Sequence, residues 1–275
     1  MTPHIYRCPL RWGDMDAQGH VNNGAYVDFL QEARVDFLLR GPVVGQQLLD
    51  SGVLVVSHQL EYLKPIVYGF DPVEIRLWVD AVGGSRFTVG YELYDGAELA
   101  ARARTGLVPY DLATNTLRRL NAEERAVLTE QLTPAEPLRS LAPTRIGDHD
   151  HHRWPLKVRW SDLDSYGHAN NVKYFDYIQE GRVAMMGPIF PWTPEELWVV
   201  VRQDVEYRRP IDFRTAPYEV ATVVSELGNR SFTLAAEIRD PQDGTTYASG
   251  RTVIVRPKPL TDEQRFALSA FATPR

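Results

Sequence analysis

Strand-like apolar runs recur four times in the first half of the chain, at Val53–Tyr62, Val73–Val82, Phe87–Tyr94 and Leu99–Tyr110. Turn residues separate them: Lys64-Pro65, Gly69-Phe70-Asp71-Pro72, Gly83-Gly84-Ser85 and Asp95-Gly96, the last a tight-hairpin pair. Ahead of them Tyr26, Phe29, Leu30, Ala33, Phe37 and Leu38 fall at helical spacing. Asn22 or Asn23 suits the helix N-cap, since its side-chain oxygen accepts from first-turn N–H groups, and Gly41-Pro42 supplies the stop. A run of β-formers at Tyr6–Trp12 predicts a first strand, followed by turn chemistry from Gly13 to Gln18. One strand, one long helix and four antiparallel strands wrapped around it make an α+β unit.

The order then repeats. Val158–Trp160, Lys173–Met186, Trp198–Tyr207, Tyr218–Glu226, Ser231–Arg239 and Ala248–Arg256 are the matching runs, and Val205-Glu206-Tyr207-Arg208-Arg209-Pro210 answers Leu60-Glu61-Tyr62-Leu63-Lys64-Pro65. A short polar helix at Ala122–Gln131 and a terminal one at Thr261–Phe271, with Thr261 as cap, complete the elements. The expected organisation is a domain over 1–132, a Pro-bearing linker over 133–152 and a second domain over 153–275.

The repeat is sharpest at Arg11–Asn23 and Arg159–Asn171. At an offset of 148 residues, 13 of the 24 positions from 11 to 34 are identical in 159–182, among them Asp16/Asp164, His20/His168, Asn23/Asn171, Tyr26/Tyr174, Gln31/Gln179, Glu32/Glu180 and Arg34/Arg182. Asp, Gly, His and Asn dominate the matches, so the duplication copied a site along with its scaffold. Two acids one residue apart, Gly-His, Asn-Asn, a Tyr three residues on and a helix bearing Gln-Glu-x-Arg resemble the hotdog-fold acyl thioesterases of the 4-hydroxybenzoyl-CoA thioesterase type. The second copy, with Ser-Asp-Leu-Asp and His-Ala-Asn-Asn-Val-Lys-Tyr, is also similar to acyl-ACP thioesterases. The resemblance spans roughly 5–110 and 153–256. It implies two hotdog domains in tandem, paired as a homodimer of single hotdogs would be with their sheets joined edge to edge, and hydrolysis of an acyl-CoA or acyl-ACP. It implies that the second acid of each pair, Asp16 and Asp164, is the catalytic one.

The residues allow that chemistry. Thioester hydrolysis needs a carboxylate to attack the carbonyl or activate water, and donors for the oxyanion. A helix start at Asn23 or Asn171 offers unpaired N–H groups and partial positive charge, so a carbonyl near Asn23 or Gly24, or near Val172 in the second copy, would be polarised without a metal. Asp14 and Asp162 are read as loop-holders. His20 and His168 either orient the acid or simply bond the loop backbone. Gly19 and Gly167 supply a backbone angle or close approach denied to other residues. Tyr26 and Tyr174 are read as core or pocket wall. Glu32 and Glu180 are read either as facing a site or as structural ion-pair partners. Arg86 and Arg230 are the cations assigned to the coenzyme A arm, from a set that includes Arg102, Arg104, Arg202, Arg208, Arg209 and Arg251. Gln18 and Gly24 are smaller than Tyr166 and Val172, which predicts the more open pocket in the first copy.

Composition narrows the alternatives. With 30 Lys and Arg against 36 Asp and Glu, the net charge is −6, which argues against nucleic acid yet permits a phosphate-bearing ligand held by a few arginines. No apolar run is long enough for membrane insertion and Met1–Leu10 lacks a signal-peptide pattern, so a cytoplasmic protein is expected. The single Cys8 excludes an intrachain disulfide and is read as structural. Asp148-His149-Asp150-His151-His152 contains metal-ligand types but reads as a solvated run after a linker, so neither metal nor cofactor is expected. Two rivals stay open: an enoyl-thioester hydratase or dehydratase using an Asp16/His20 pair, and a non-catalytic acyl-thioester binding module. Association into a homo-oligomer of such chains is left open.

Overall fold

The computed structural model describes residues 2–41, 43–142, 146–147, 151–190 and 198–272. The chain divides into two compact units, Met1–Arg139 and Ser140–Arg275. In the first, β1 (His4–Cys8) is followed by α1 (Asn23–Arg40), α2 (Val43–Ser51), β2 (Val53–Tyr62), β3 (Val73–Val82), β4 (Phe87–Asp95), β5 (Glu98–Asp111), the short β6 (Thr116–Leu117) and α3 (Ala122–Glu130). All main pairings are antiparallel, in the order β1-β3-β4-β5-β2, with β6 appended to β5. The second unit runs β7 (His152–Leu156), α4 (Lys173–Met186), β8 (Val199–Tyr207), β9 (Tyr218–Leu227), β10 (Ser231–Arg239), β11 (Thr246–Val255) and α5 (Asp262–Ser269). Its order, β7-β9-β10-β11-β8, is the same one.

Alternation makes these sheets one-sided where it is strict. In β3, Val73, Ile75, Leu77 and Val79 are buried while Glu74, Arg76, Trp78 and Asp80 take the other face, as period-two side-chain placement requires. The helix covers the apolar face: Tyr26, Val27, Leu30 and Ala33 of α1 are buried, as are Tyr174, Phe175, Ile178 and Gly181 of α4. β9 and β10 depart from alternation and are buried almost throughout. Their other face is covered as well, with Ile146 packed on Ala221, Val223 and Ala235, and α5 lying on β9.

Three expectations need correcting. The first strand ends at Cys8 instead of continuing to Trp12, because Cys8 pairs with the first residue of β3 and the next residue, Pro9, has no N–H to donate. The matching strand lies at His152–Leu156, ahead of Val158–Trp160; Pro155 hides it in a sequence pattern, yet an edge strand tolerates proline. Helix α2 follows the Gly41-Pro42 stop directly and was not expected. The Asp148–Asp150 part of the mixed His/Asp run lies outside the described residues, whereas His151 sits against Arg239 and Glu219 and His152 opens β7. Among the described residues, no group of three or more His, Cys, Asp or Glu is arranged to hold a metal ion, and no helix is long and apolar enough to cross a membrane.

Helix α4 sits against the sheet so closely at Gly181 that an added Cβ would stand 2.7 Å from Val220 Cγ1 and 3.1 Å from Val220 Cβ. Gly181→Ala gains up to about 1 kcal/mol of helix propensity, but overpacking a rigid β-branched neighbour costs about 1–3 kcal/mol. A lowered thermal unfolding midpoint is therefore expected, with Ala33→Gly, at the matching position of α1, as the comparison. A midpoint that rose for Gly181→Ala would show that the helix is not pinned there.

Candidate active site

Each Arg-Trp-x-Asp-x-Asp segment forms a single 3-10 turn, Trp12–Asp14 or Trp160–Asp162, and then a tight loop that feeds the helix. The first acid fastens the turn: Asp14 Oδ2 accepts from Arg11 N–H at 2.7 Å and Asp162 Oδ2 from Arg159 N–H at 2.8 Å. The second acid closes the loop. Asp16 Oδ1 accepts from the N–H groups of Gln18 (2.8 Å) and His20 (3.1 Å), and Asp164 Oδ1 from that of Tyr166 (2.9 Å). Backbone bonds between Asp16 and His20 (2.7 Å) and between Asp164 and His168 (2.8 Å) complete the turn. Gly19 and Gly167 sit at φ +79° and +81°, the left-handed region that an L side chain resists, and this accounts for glycine before each His. Both carboxylates are half-buried, and among the described residues no donor reaches Oδ2 of either one.

The helix start lies next to this loop. Asn22, not Asn23, is the N-cap of α1, with its Oδ1 accepting from Gly24 N–H at 2.9 Å. Gly24 is thus engaged, so it is not the open donor for a carbonyl; Asn23 precedes it with its own carbonyl taking the Tyr62 hydroxyl at 3.2 Å. In the second unit Asn170 Oδ1 accepts from Val172 N–H at 3.0 Å and Tyr207 donates to Asn171 O at 2.9 Å. Val172 is buried, as is Gly24.

Tyr26 and Tyr174 do not line an open surface: each is almost wholly buried and stacks edge-on against Tyr62 or Tyr207, with ring centroids 5.0 and 4.9 Å apart. Their hydroxyls bond the backbone of Ile66 and Ile211, in the connectors from β2 to β3 and from β8 to β9. Burial pushes both hydroxyls well above the ordinary tyrosine value. Tyr177, where the first unit has Phe29, is raised by burial and by its 2.8 Å bond to Asp162 Oδ2. Cys8 is likewise buried, which pushes its thiol up to about 11 and makes it a poor nucleophile.

The histidines meet the acids through the backbone. His20 reaches Asp16 by its N–H and not by its ring, and the ring of His168 lies 3.6 Å from Asp212 Oδ1. Glu32 and Glu180 are exposed on the helices. Arg86 and Arg230 are exposed in the turns leading into β4 and β10, and among the described residues no contact links either to the aspartate loop of its own unit. The aromatic rim was not foreseen: Trp12, 76% exposed, packs edge-on against Tyr68 at 5.4 Å, and Trp160, 73% exposed, against Phe213 at 5.3 Å. The only sequence signal for it was the repeated Trp itself.

A family model described as the thioesterase-like superfamily matches residues 10–138 and 158–256. Among curated proteins, the chain is 28% identical over 194 residues to the chloroplastic palmitoyl-acyl carrier protein thioesterase of Arabidopsis thaliana, covering 66% of this chain and 45% of that one. The chain thus spans about half the length of that plant relative. Among solved structures, the 12:0-ACP thioesterase from Umbellularia californica superposes with a TM-score of 0.71 at 20% identity, covering 94% of this chain and 99% of the other. An acyl-ACP thioesterase from Bacteroides thetaiotaomicron gives 0.69 at 15% identity, with 91% and 96% covered. At those identities the likeness is one of fold.

The buried tyrosines set an alkaline limit on stability. Their folded-state values lie above the ordinary 10.0, so the stability they contribute is intact below pH 10 and is lost as pH rises beyond it. Denaturant midpoints should fall above pH 10, and Tyr177→Phe should flatten part of that fall, since Phe29 fills the matching place in the first unit. A midpoint that stayed level well above pH 10 would contradict the buried, protonated state of these hydroxyls.

Proposed function

Because the chain belongs to the thioesterase-like superfamily, we propose that it hydrolyses an acyl thioester carried by coenzyme A or acyl carrier protein, in two tandem hotdog domains over 1–132 and 153–275 joined by 133–152. Asp16 and Asp164 are the carboxylates that act. The observation carrying this reading is that each sits in a loop closed by its own Oδ1, with no donor among the described residues on Oδ2, in the loop that feeds a helix start. As a general base, the aspartate takes a proton from water while the water oxygen adds to the thioester carbon. The carbonyl electrons move onto oxygen, where the Asn23 or Asn171 end of the helix stabilises them. The C–S bond then breaks, the acyl group leaves as the carboxylic acid, and the proton held by the aspartate passes to the thiolate. As a nucleophile, the same carboxylate would attack the carbon itself and expel the thiolate, which takes a proton from solvent, and water would then split the anhydride into the free acid and the regenerated aspartate. Gly19 and Gly167 shape the loops, and the Trp12 and Trp160 rims offer apolar surface to the arriving chain.

The hydratase alternative loses its support, since the Asp16–His20 contact runs through a backbone N–H and not through a proton-carrying ring. The binding-module alternative is separated by turnover alone. Thiol release from a panel of short, long and aromatic acyl-CoAs should be measured for Asp16→Asn, Asp164→Asn and the double variant. Each single variant is expected to keep part of kcat and the double one to lose about 10²-fold or more. Asn preserves the Oδ1 acceptor, so thermal midpoints should change little. A double variant turning over near the wild-type rate would remove the aspartates from the mechanism.

A further inference from the structure

The connector after β2 and the one after β8 share a backbone but not a charge. In the first unit, the N–H groups of Leu63 and Lys64 both donate to Ala100 O, at 2.8 and 3.1 Å. In the second, those of Arg208 and Arg209 both donate to Tyr247 O at the same two distances. Two residues before the shared carbonyl the first unit has Glu98, which pairs with Lys64 and neutralises it. The second unit has Thr245 there, and arginine at both connector positions. Among the described residues no carboxylate lies within ion-pair distance of either guanidinium; Arg208 Nη2 reaches only Ser249 Oγ, at 3.4 Å. Of the acids in the turn before Thr245, Asp240 pairs with Arg214 and Asp243 has its Oδ1 taken by Thr245 N–H at 2.8 Å.

Arg208, Arg209, Thr245 and Thr246 line an open cavity of about 590 Å³. Two adjacent cations repel each other unless an anion lies between them, and guanidinium forks with hydroxyls make the donor set that phosphate oxygens accept from. We propose that this cavity binds the phosphate group of a phosphorylated ligand, a site present in the second unit and cancelled in the first by Glu98. Resting on the acyl-thioester reading, the phosphate is that of the thioester carrier. The connector holding it also braces the Asp164 loop, because Tyr174 bonds Arg209 O and Ile211 N–H, and Ile211 O accepts from Ala169 N–H.

Isothermal titration of the intact chain with free coenzyme A, 4′-phosphopantetheine, pantetheine and inorganic phosphate tests this without any turnover. The Arg208→Gln/Arg209→Gln double variant should bind the phosphorylated probe about tenfold or more weakly, the size of losing one or more charge-assisted contacts. Pantetheine, which has no phosphate, should bind the two proteins alike, and Lys64→Gln should leave every affinity unchanged. A loss seen with coenzyme A and 4′-phosphopantetheine points to the pantetheine phosphate, a loss with coenzyme A alone to the nucleotide phosphates, and a loss with inorganic phosphate alone to free phosphate. Arg208→Lys/Arg209→Lys, which keeps the charge, should recover part of the affinity and guards against a misfolded Gln variant. Equal binding of every phosphorylated probe by wild type and the Gln variant, or an equal loss for pantetheine, would overturn the proposal. A chain that binds coenzyme A through these arginines yet releases no thiol would sink the hydrolase reading and leave the phosphate site standing.

Discussion

The peptide of Ile66, and that of Ile211 in the second unit, is bonded from two directions. Its carbonyl oxygen accepts from Val21 or Ala169 N–H at 2.8 Å, at the end of the aspartate loop, and its backbone also meets the hydroxyl of Tyr26 or Tyr174 in the first turn of the helix. Both isoleucines are fully buried. A buried peptide left without these partners would cost about 1–3 kcal/mol per unmet group, so loop, helix start and connector hold one another in place. That restraint is what puts a half-buried carboxylate beside a helix N-terminus. The tyrosine oxygen accepts the isoleucine N–H, and in the second unit its O–H also donates to Arg209 O, a bond it can make only while protonated, as burial keeps it.

The aspartate loops hold themselves by the same carboxylates that the chemistry would use, one oxygen for each purpose. An acid whose Oδ1 closes a turn has a fixed direction for Oδ2, and fixed direction is what a base or nucleophile needs in order to meet a carbonyl. Structural and chemical roles are therefore not competing readings of Asp16 and Asp164. The division between the two acids of the motif is one of degree, since Asp14 and Asp162 also accept from backbone N–H groups, one turn earlier.

Much of this was legible in the sequence because it is local. The bonds that close the loop span two to four residues, and the helix cap spans two, so residue types at fixed spacing carry them. Strands β2 to β5 were legible for a similar reason, with turn residues marking each end. What was not legible depends on distant partners. Tyr26 meets a connector 40 residues away, and nothing in the Tyr-x-x-Phe spacing announces that its hydroxyl will be consumed there. The edge strands β1 and β7 were misplaced toward the motif because their limits are set by where β3 and β9 offer partners, not by their own β-formers. Helix α2 was hidden by Gly41-Pro42, a stop for one helix that here also precedes the next.

The two units distribute the same restraint differently. In the first, Asp14 takes the Arg11 N–H while Asp16 takes those of Gln18 and His20; in the second, Asp162 takes the Arg159 N–H and the Tyr177 hydroxyl, while Asp164 takes the Tyr166 N–H. Tyr177, where the first unit has Phe29, adds a donor to the first acid, and separately, among the described residues, the second acid has no bond from His168 N–H to match the one from His20 N–H. The loop keeps its shape, but Asp164 is held by fewer bonds than Asp16 and Asp162 by more than Asp14. Divergence between the copies has thus run through the surroundings of an unchanged motif: a helix position that adds a donor, and a connector that exchanges a neutral ion pair for two arginines. Identical acids in two settings are free to differ in what they accept as a ligand while sharing one way of being held.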